Sequence, residues 1–230
     1  MVRREAFTEA AERLMQTKGW EHMSIQDVLD ALQASRGAFY HYFESKQALL
    51  EAVIDRMVEA GLASVQPVVN DPNLPAATKL VRLFNSIGRW KTDRRELILA
   101  FLDVWLSDHH AVVREKFRHK LVGRIVPVLT GIVKQGTHEG SFRVESPEAT
   151  ARVLMTLLQG MQDEATDLFV ARQANTVSYE EVETRFASYA SAFERVLGVE
   201  AGSISLVDRP ILHAWYGNSI RRPYGGDHRS

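Results

Sequence analysis

The chain has 230 residues, 45% of them hydrophobic and 25% charged, which supplies ample material for a buried core and excludes a globally disordered polymer. Its formal net charge of −1 excludes a protein that holds polyanions by bulk attraction, so any nucleic-acid contact has to come from a local arrangement of charge. The absence of cysteine excludes disulfides, thiolate zinc sites and cysteine nucleophiles, and fits a reducing cytoplasm.

The opening MVRREAFTEAAERLM is charged throughout and lacks the apolar centre of a signal peptide. The longest strongly apolar stretch, LILAFLDVWL at 97–106, is short and interrupted by Asp103. The expectation is a soluble, cytoplasmic protein with no membrane partner.

In chain order, Phe7, Ala10, Ala11 and Leu14 form one helical face that Gly19 stops, with Trp20 placed to pack back; this predicts a first helix to about residue 18. In MSIQDVLDALQ, Ser24 with Asp27 makes a capping box ahead of Ile25, Val28, Leu29 and Leu32, a second helix of about two turns. A break at Gln33-Ala34 precedes Ser35, an N-cap for a third short helix through Phe43, and Ser45 caps a fourth with Leu50, Val53, Ile54 and Met57 on one face. Two short capped helices joined by a tight turn are a helix-turn-helix pattern.

Pro67, Pro72 and Pro75 cluster in QPVVNDPNLP, the best candidate for a boundary after a proline-free start. Further helices are predicted at 75–91, 94–108, 110–137, 147–172 and 178–197, with Pro127 expected to kink or split the third of these. Ser146-Pro147 and the Ser178/Glu181 capping box mark the last two starts. These two helices carry long apolar stripes that can pack inward or against a second copy. From Gly198 the tail becomes glycine-rich and irregular, with ILHAWY at 211–216 as a docking segment and RRPYGGDHRS at its end. The fold class is all-α.

The stretch SRGAFYHYFESK, 35–46, is the chemically loaded one. On a helix, Phe39 and Phe43 share one face, while Arg36, Gly37, Tyr40 and His41 share another. Arg can fork onto guanine, Tyr and His can reach phosphate oxygens, Gly37 or Ala38 allows the backbone close to a groove wall, and Lys46 adds a charge at the next helix start. Periodicity leaves the cluster open between core and contact surface, and six bases against seven acids in residues 1–50 do not decide it.

The run from Ser24 to Leu50, SIQDVLDALQASRGAFYHYFESKQALL, resembles the DNA-binding domain of the TetR family of transcriptional regulators, with Tyr40, His41, Tyr42, Phe43 and Lys46 matching its aromatic-His-aromatic-Phe run and following Lys. The resemblance implies a DNA-binding domain at 1–48, joined by the fourth helix to an effector-binding and dimerisation bundle at 49–198, with 199–230 as a tail. It also implies that Ser24 and Gln26 lie at the backbone or groove edge, that Arg36 and Ala38 face the bases, and that Tyr40, His41 and Lys46 hold phosphates, with Ser35 and Gly37 in the same DNA-contacting stretch. Gln33 stands where the family commonly has Gly, at a cost on the order of 1 kcal/mol if its backbone is left-handed.

The resemblance further implies an operator of double-stranded DNA, a homodimer through 147–172 and 178–197, and a small-molecule effector. Candidate effector contacts are Trp90, Phe101, Trp105, Gln159 and Gln162, each of which reads equally as core or surface. No metal, cofactor or catalysis is expected: His109, His110 and His119 lack the spacing of HExxH, His138-Glu139 falls in GTHEG, and neither a phosphate loop nor a nucleophile elbow occurs. The alternatives are a helical carrier or enzyme using a C-terminal cavity, and an adaptor that binds protein through its helix-turn-helix.

Overall fold

The computed structural model describes residues 3–217. They form ten α-helices: α1 (Arg4–Lys18), α2 (Ile25–Leu32), α3 (Arg36–Tyr40), α4 (Lys46–Asn70), α5 (Ala76–Asp93), α6 (Arg95–Leu106), α7 (Ala111–His138), α8 (Pro147–Gln173), α9 (Tyr179–Leu197) and α10 (Arg209–Tyr216), with a 3-10 turn at Asp108–His110. Among these residues no helix is long and apolar enough to cross a membrane.

Most helix starts lie where the caps place them. Ser24 accepts from the Asp27 N–H while the Asp27 carboxylate accepts from the Ser24 N–H, so the two satisfy one another's backbone at the head of α2. Ser35, Ser45, Ser146 and Ser178 cap α3, α4, α8 and α9 in the same sense, each hydroxyl accepting from an amide three residues on. The hydrogen bonds from Lys18 and from the Ser24 amide and hydroxyl hold the Asp27 carboxyl well below the usual carboxylate range. Its contribution to the head is therefore complete at neutral pH and is lost only as pH falls below that range.

One expectation needs correction. The third helix stops at Tyr40 rather than Phe43; the chain turns there, and the amides of Tyr42 and Phe43 both bond back to the Phe39 carbonyl. Pro127 does not split α7, which continues through it. The proline still removes one donor, so the Gly123 carbonyl loses its helical partner.

The chain divides into two compact units, 3–67 with 93–124, and 68–92 with the described chain from 125. The first unit therefore extends beyond residue 48 and takes in most of α4, the whole of α6 and the start of α7. Its core joins Phe7, Ala10, Ala11 and Met15 of α1 to Val28 and Leu29 of α2, Phe39 of α3, Leu49, Leu50 and Val53 of α4, and Val104 and Val113. In the second unit α8 and α9 pack against each other, and Phe84 of α5 meets Phe193 of α9 edge to face with ring centres 5.5 Å apart.

Residues 199–217 are an integral part of the second unit. α10 buries Ile211, Leu212 and Tyr216, the Trp215 Nε1–H donates to Thr92 Oγ1 at 2.9 Å, and the Tyr216 hydroxyl donates to the Ala165 carbonyl at 3.0 Å. Burial raises the Tyr216 phenol above its ordinary value. The terminal RRPYGGDHRS lies outside the described residues.

The turn between α2 and α3 carries a measurable cost. Gln33 sits at φ 49°, ψ 40°, left-handed, with its N–H spent on the carbonyls of Asp30 and Leu29. Because the side chain is exposed and the conformation suits glycine, Gln33→Gly is expected to raise stability by about 0.5–1 kcal/mol in urea denaturation, the relief of backbone strain exceeding the entropy glycine adds to the unfolded chain.

Candidate nucleic-acid interface

α3 has five residues, too few to persist alone, and its position is set by one inserted ring. Phe39 is fully buried and meets Phe7 edge to face at 5.7 Å and Phe43 at 5.6 Å, while Phe7 and Phe43 meet at 6.1 Å. Tyr42 lies beside this triad, 6.1 Å from Phe7 and partly buried. The aromatic cluster is thus divided as the helical period requires. Phe39 and Phe43 face inward, and Arg36, Gly37, Tyr40 and His41 are exposed.

On the exposed face, Tyr40 shows 55% of its surface to solvent, high for a tyrosine, while its ring edge rests on Phe39 at 5.3 Å. Arg36 forms no ion pair among the described residues. Gly37 has helical backbone and room around it: a Cβ there would meet only the Ser35 hydroxyl, at 3.9 Å. Nothing within the chain requires the missing side chain, although glycine inside a helix costs about 1 kcal/mol relative to alanine. Ala38, next along, is partly buried.

Other sequence candidates are occupied. The Ser24 hydroxyl is spent on the capping box, Ser35 accepts from the Ala38 N–H, and the exposed Gln26 amide donates to Asp30 Oδ1 at 2.7 Å. Lys46 turns inward. Its ammonium donates to the Trp20 carbonyl at 2.6 Å and lies 4.5 Å from the centre of the Trp20 ring. Burial pushes its pKa below the ordinary lysine value, opposed by the charges of Glu21 and Asp27. A lysine following a helix cap reads from sequence as a free cation; only the tertiary approach of Trp20 reveals the second use.

The near-zero net charge is also explained locally. Carboxylates of the first unit are largely engaged within it: Glu9 and Glu12 on Arg56, Asp27 on Lys18, Glu21 beside His110. Glu51, Asp55 and Glu59 of α4 pair with Lys116, Lys120 and Arg124 of α7 at 2.7, 2.7 and 3.1 Å. Both series advance by one helical turn together, so these stretches run in the same direction, joined by a three-rung ladder. The acids of α4 are thereby turned toward α7.

The five candidate effector contacts are not gathered in one unit. Trp90, Gln159 and Gln162 are partly buried in the second. Phe101 and Trp105 belong to the first, where Phe101 packs on the head core and Trp105 meets Phe117 edge to face at 5.2 Å. A surface depression of about 570 Å³ lies between α9 and α10, lined by Tyr179, Glu183, Arg209, Pro210 and His213, and contains none of the five. On α5, Lys91 continues the inward line of Leu80 and Phe84, and burial pushes its ammonium below the ordinary lysine value.

Residues 7–53, which span the aromatic triad, the left-handed turn and the exposed α3 face, match the family model described as bacterial regulatory proteins, tetR family. This N-terminal stretch is similar to that family. The chain is similar to the HTH-type transcriptional repressor DhaR of Mycobacterium sp. (24% identity over 158 residues, 68% of this chain and 79% of DhaR). It is also similar to the HTH-type transcriptional regulator EthR of Mycobacterium tuberculosis (26% over 177 residues, 66% of this chain and 82% of EthR). A TetR transcription regulator from Haloarcula marismortui shares the fold, with a TM-score of 0.60, 21% identity, and coverage of 85% of this chain and 96% of that one.

The ladder gives this head a test. Reversing the three α7 cations (K116E, K120E, R124E) is expected to lower stability by about 1–3 kcal/mol, at roughly 0.2–1 kcal/mol per exposed pair. Adding E51K, D55K and E59K should restore most of the loss, and high salt should shrink the deficit in urea denaturation.

Proposed function

We propose that this chain is a homodimeric, ligand-responsive repressor that reads a palindromic operator with α3 and is released by a small-molecule effector. The observation that carries the DNA reading is Gly37, a helix-weakening residue that nothing inside the chain calls for, at the centre of an exposed face beside Arg36, Tyr40 and His41. A bare backbone at that point lets the helix approach a groove wall, and Arg36 beside it is free to fork onto guanine N7 and O6. Tyr40 and His41 reach phosphates, which fix register without reading sequence. Ser24, Ser35 and Lys46 serve this face by holding it, and Gln26 and Ala38 flank it.

The dimer reading places the contact on the helices at 147–172 and 178–197. It is supported by Val153 and Val170, which α8 leaves exposed, while the stripe residues Leu154, Met161 and Leu168 are buried within the chain. Release requires only that the effector favour one spacing of the two heads; a coupling of about 1–3 kcal/mol changes operator affinity about 5- to 150-fold. The repressor sense follows DhaR, a protein named as a repressor. The contacts of the effector are sought first among Trp90, Gln159 and Gln162.

Operator selected from a random duplex pool provides the test. Arg36→Ala is expected to cost about 1–3 kcal/mol in affinity and to relax preference at one base pair of each half-site. Gly37→Ala is expected to move two measurements in opposite directions: the melting temperature rises, since alanine is the better helix former by about 1 kcal/mol, while operator affinity falls because the added methyl holds the helix off the groove. A Gly37→Ala protein that binds the operator as tightly as the parent would remove the basis of the DNA reading.

A further inference from the structure

A histidine far along the chain is tied to the reading head. His110 ends the 3-10 turn between α6 and α7, and its Nε2 lies 3.0 Å from Oε1 of Glu21, in the turn that follows α1. The His110 side chain is 14% exposed and the Glu21 side chain 63% exposed, so the pair is half sheltered on the histidine side. The His110 ring meets the Trp20 ring edge to face at 6.5 Å. The same indole carries the Lys46 ammonium at 4.5 Å, and its carbonyl accepts from that ammonium at 2.6 Å. Lys46 opens α4, six residues after Tyr40 ends α3.

Trp20 is therefore a joint with three occupants: the head core that buries it, Lys46 on its ring, and His110 on its edge. The charged and titratable groups around His110 come from each neighbouring element. Glu21 is its direct partner, Lys46 approaches from α4, and the Lys18–Asp27 pair lies where α1 and α2 meet. On its own side, His109 lies by the Ser107 hydroxyl at 3.5 Å, and Arg114 of α7 is spent on the carbonyls of Trp105 and Ser107. Glu21 is the carboxylate in contact with the imidazole among the described side chains, and protonation turns that contact from a neutral hydrogen bond into a charged pair.

Resting on the DNA-reading role given above, we infer that His110 is a positioning residue for operator binding, acting through Glu21 and Trp20 on Lys46 and the corner between α3 and α4. A protonated His110 clamps the turn after α1 and so fixes the Trp20 surface on which Lys46 rests. A corner held in advance loses less conformational freedom on binding. Operator affinity then rises as pH falls.

The experiment is operator titration of the full-length protein at fixed ionic strength between pH 8 and pH 6, with the parent, His110→Gln, Glu21→Gln and His110→Lys. The parent gains affinity as pH falls, and about five-fold of that gain, a coupling on the order of 1 kcal/mol, is absent from His110→Gln and from Glu21→Gln. Whatever His41 contributes at the DNA itself remains in both variants. His110→Lys, which keeps a cation opposite Glu21 at every pH, stays near the parent's low-pH affinity and loses the same part of the pH dependence. A purely structural role would shift affinity equally at all pH values and leave the profiles parallel; parallel profiles for Glu21→Gln and the parent overturn the inference. Glu21 is exposed, so its variant reports even where His110→Gln melts early. A parent protein that selects no duplex at any pH would sink the DNA reading itself, a result distinct from parallel profiles on a bound operator.

Discussion

The exposed face of α3 depends on one buried ring. A five-residue helix lacks the hydrogen bonds to hold its own shape, so α3 exists because Phe39 is driven into the space between Phe7 and Phe43. Burial of three phenyl groups, each of which would cost about 3–5 kcal/mol to truncate in a core, outweighs the nucleation penalty of so short a helix. Once Phe39 is fixed, the 100° step between residues leaves little freedom to Arg36, Gly37, Tyr40 and His41: they face outward because the ring faces inward. Ser35 and the amides that bond to the Phe39 carbonyl close the two ends.

Electrostatics follow the same local logic. The chain as a whole is almost neutral, yet a neutral sum says little when acids and bases are sorted by face. Glu51, Asp55 and Glu59 lie on the side of α4 that meets α7, Asp27 is neutralised by Lys18, and Glu9 and Glu12 share Arg56. Each such pair contributes little stability, because each is exposed. Their larger effect is to spend negative charge inside the unit, and Arg36 forms no ion pair among the described residues.

Much of this arrangement was legible in the sequence, for identifiable reasons. Helix starts are announced by side chains that bond to the backbone two or three residues away, which is why Ser24, Ser35, Ser45, Ser146 and Ser178 mark them well. The split of the aromatic cluster follows from helical period alone. Long-range partners leave no such trace. Nothing near Lys46 in sequence indicates that Trp20, 26 positions earlier, draws its ammonium inward, and nothing near Glu51 indicates Lys116. The early end of α3 was hidden for a related reason: Tyr40 to Phe43 suit a helix, and no residue type there announces the turn in which the Tyr42 and Phe43 amides both bond to the Phe39 carbonyl. The candidate effector contacts are three aromatics and two glutamines, and aromatics are a residue type that a core uses in the same way; Phe101 and Trp105 pack within the first unit.

Two places where the α2–α3 stretch departs from good local practice lie four residues apart. Gln33 occupies a left-handed backbone position that suits glycine, and Gly37 occupies a helical position that suits alanine. An exchange of these preferences would strengthen both sites, and local misfits of this kind concentrate where a sequence serves something besides its own stability. Gly37 has such a reason in the bare surface it leaves beside Arg36. Gln33 has no side-chain partner among the described residues that explains it, and its side chain is exposed at the turn that leads into α3. The penalty at each position is small beside the burial of the phenyl triad, and that margin is what lets the head carry a surface selected for contact rather than for folding.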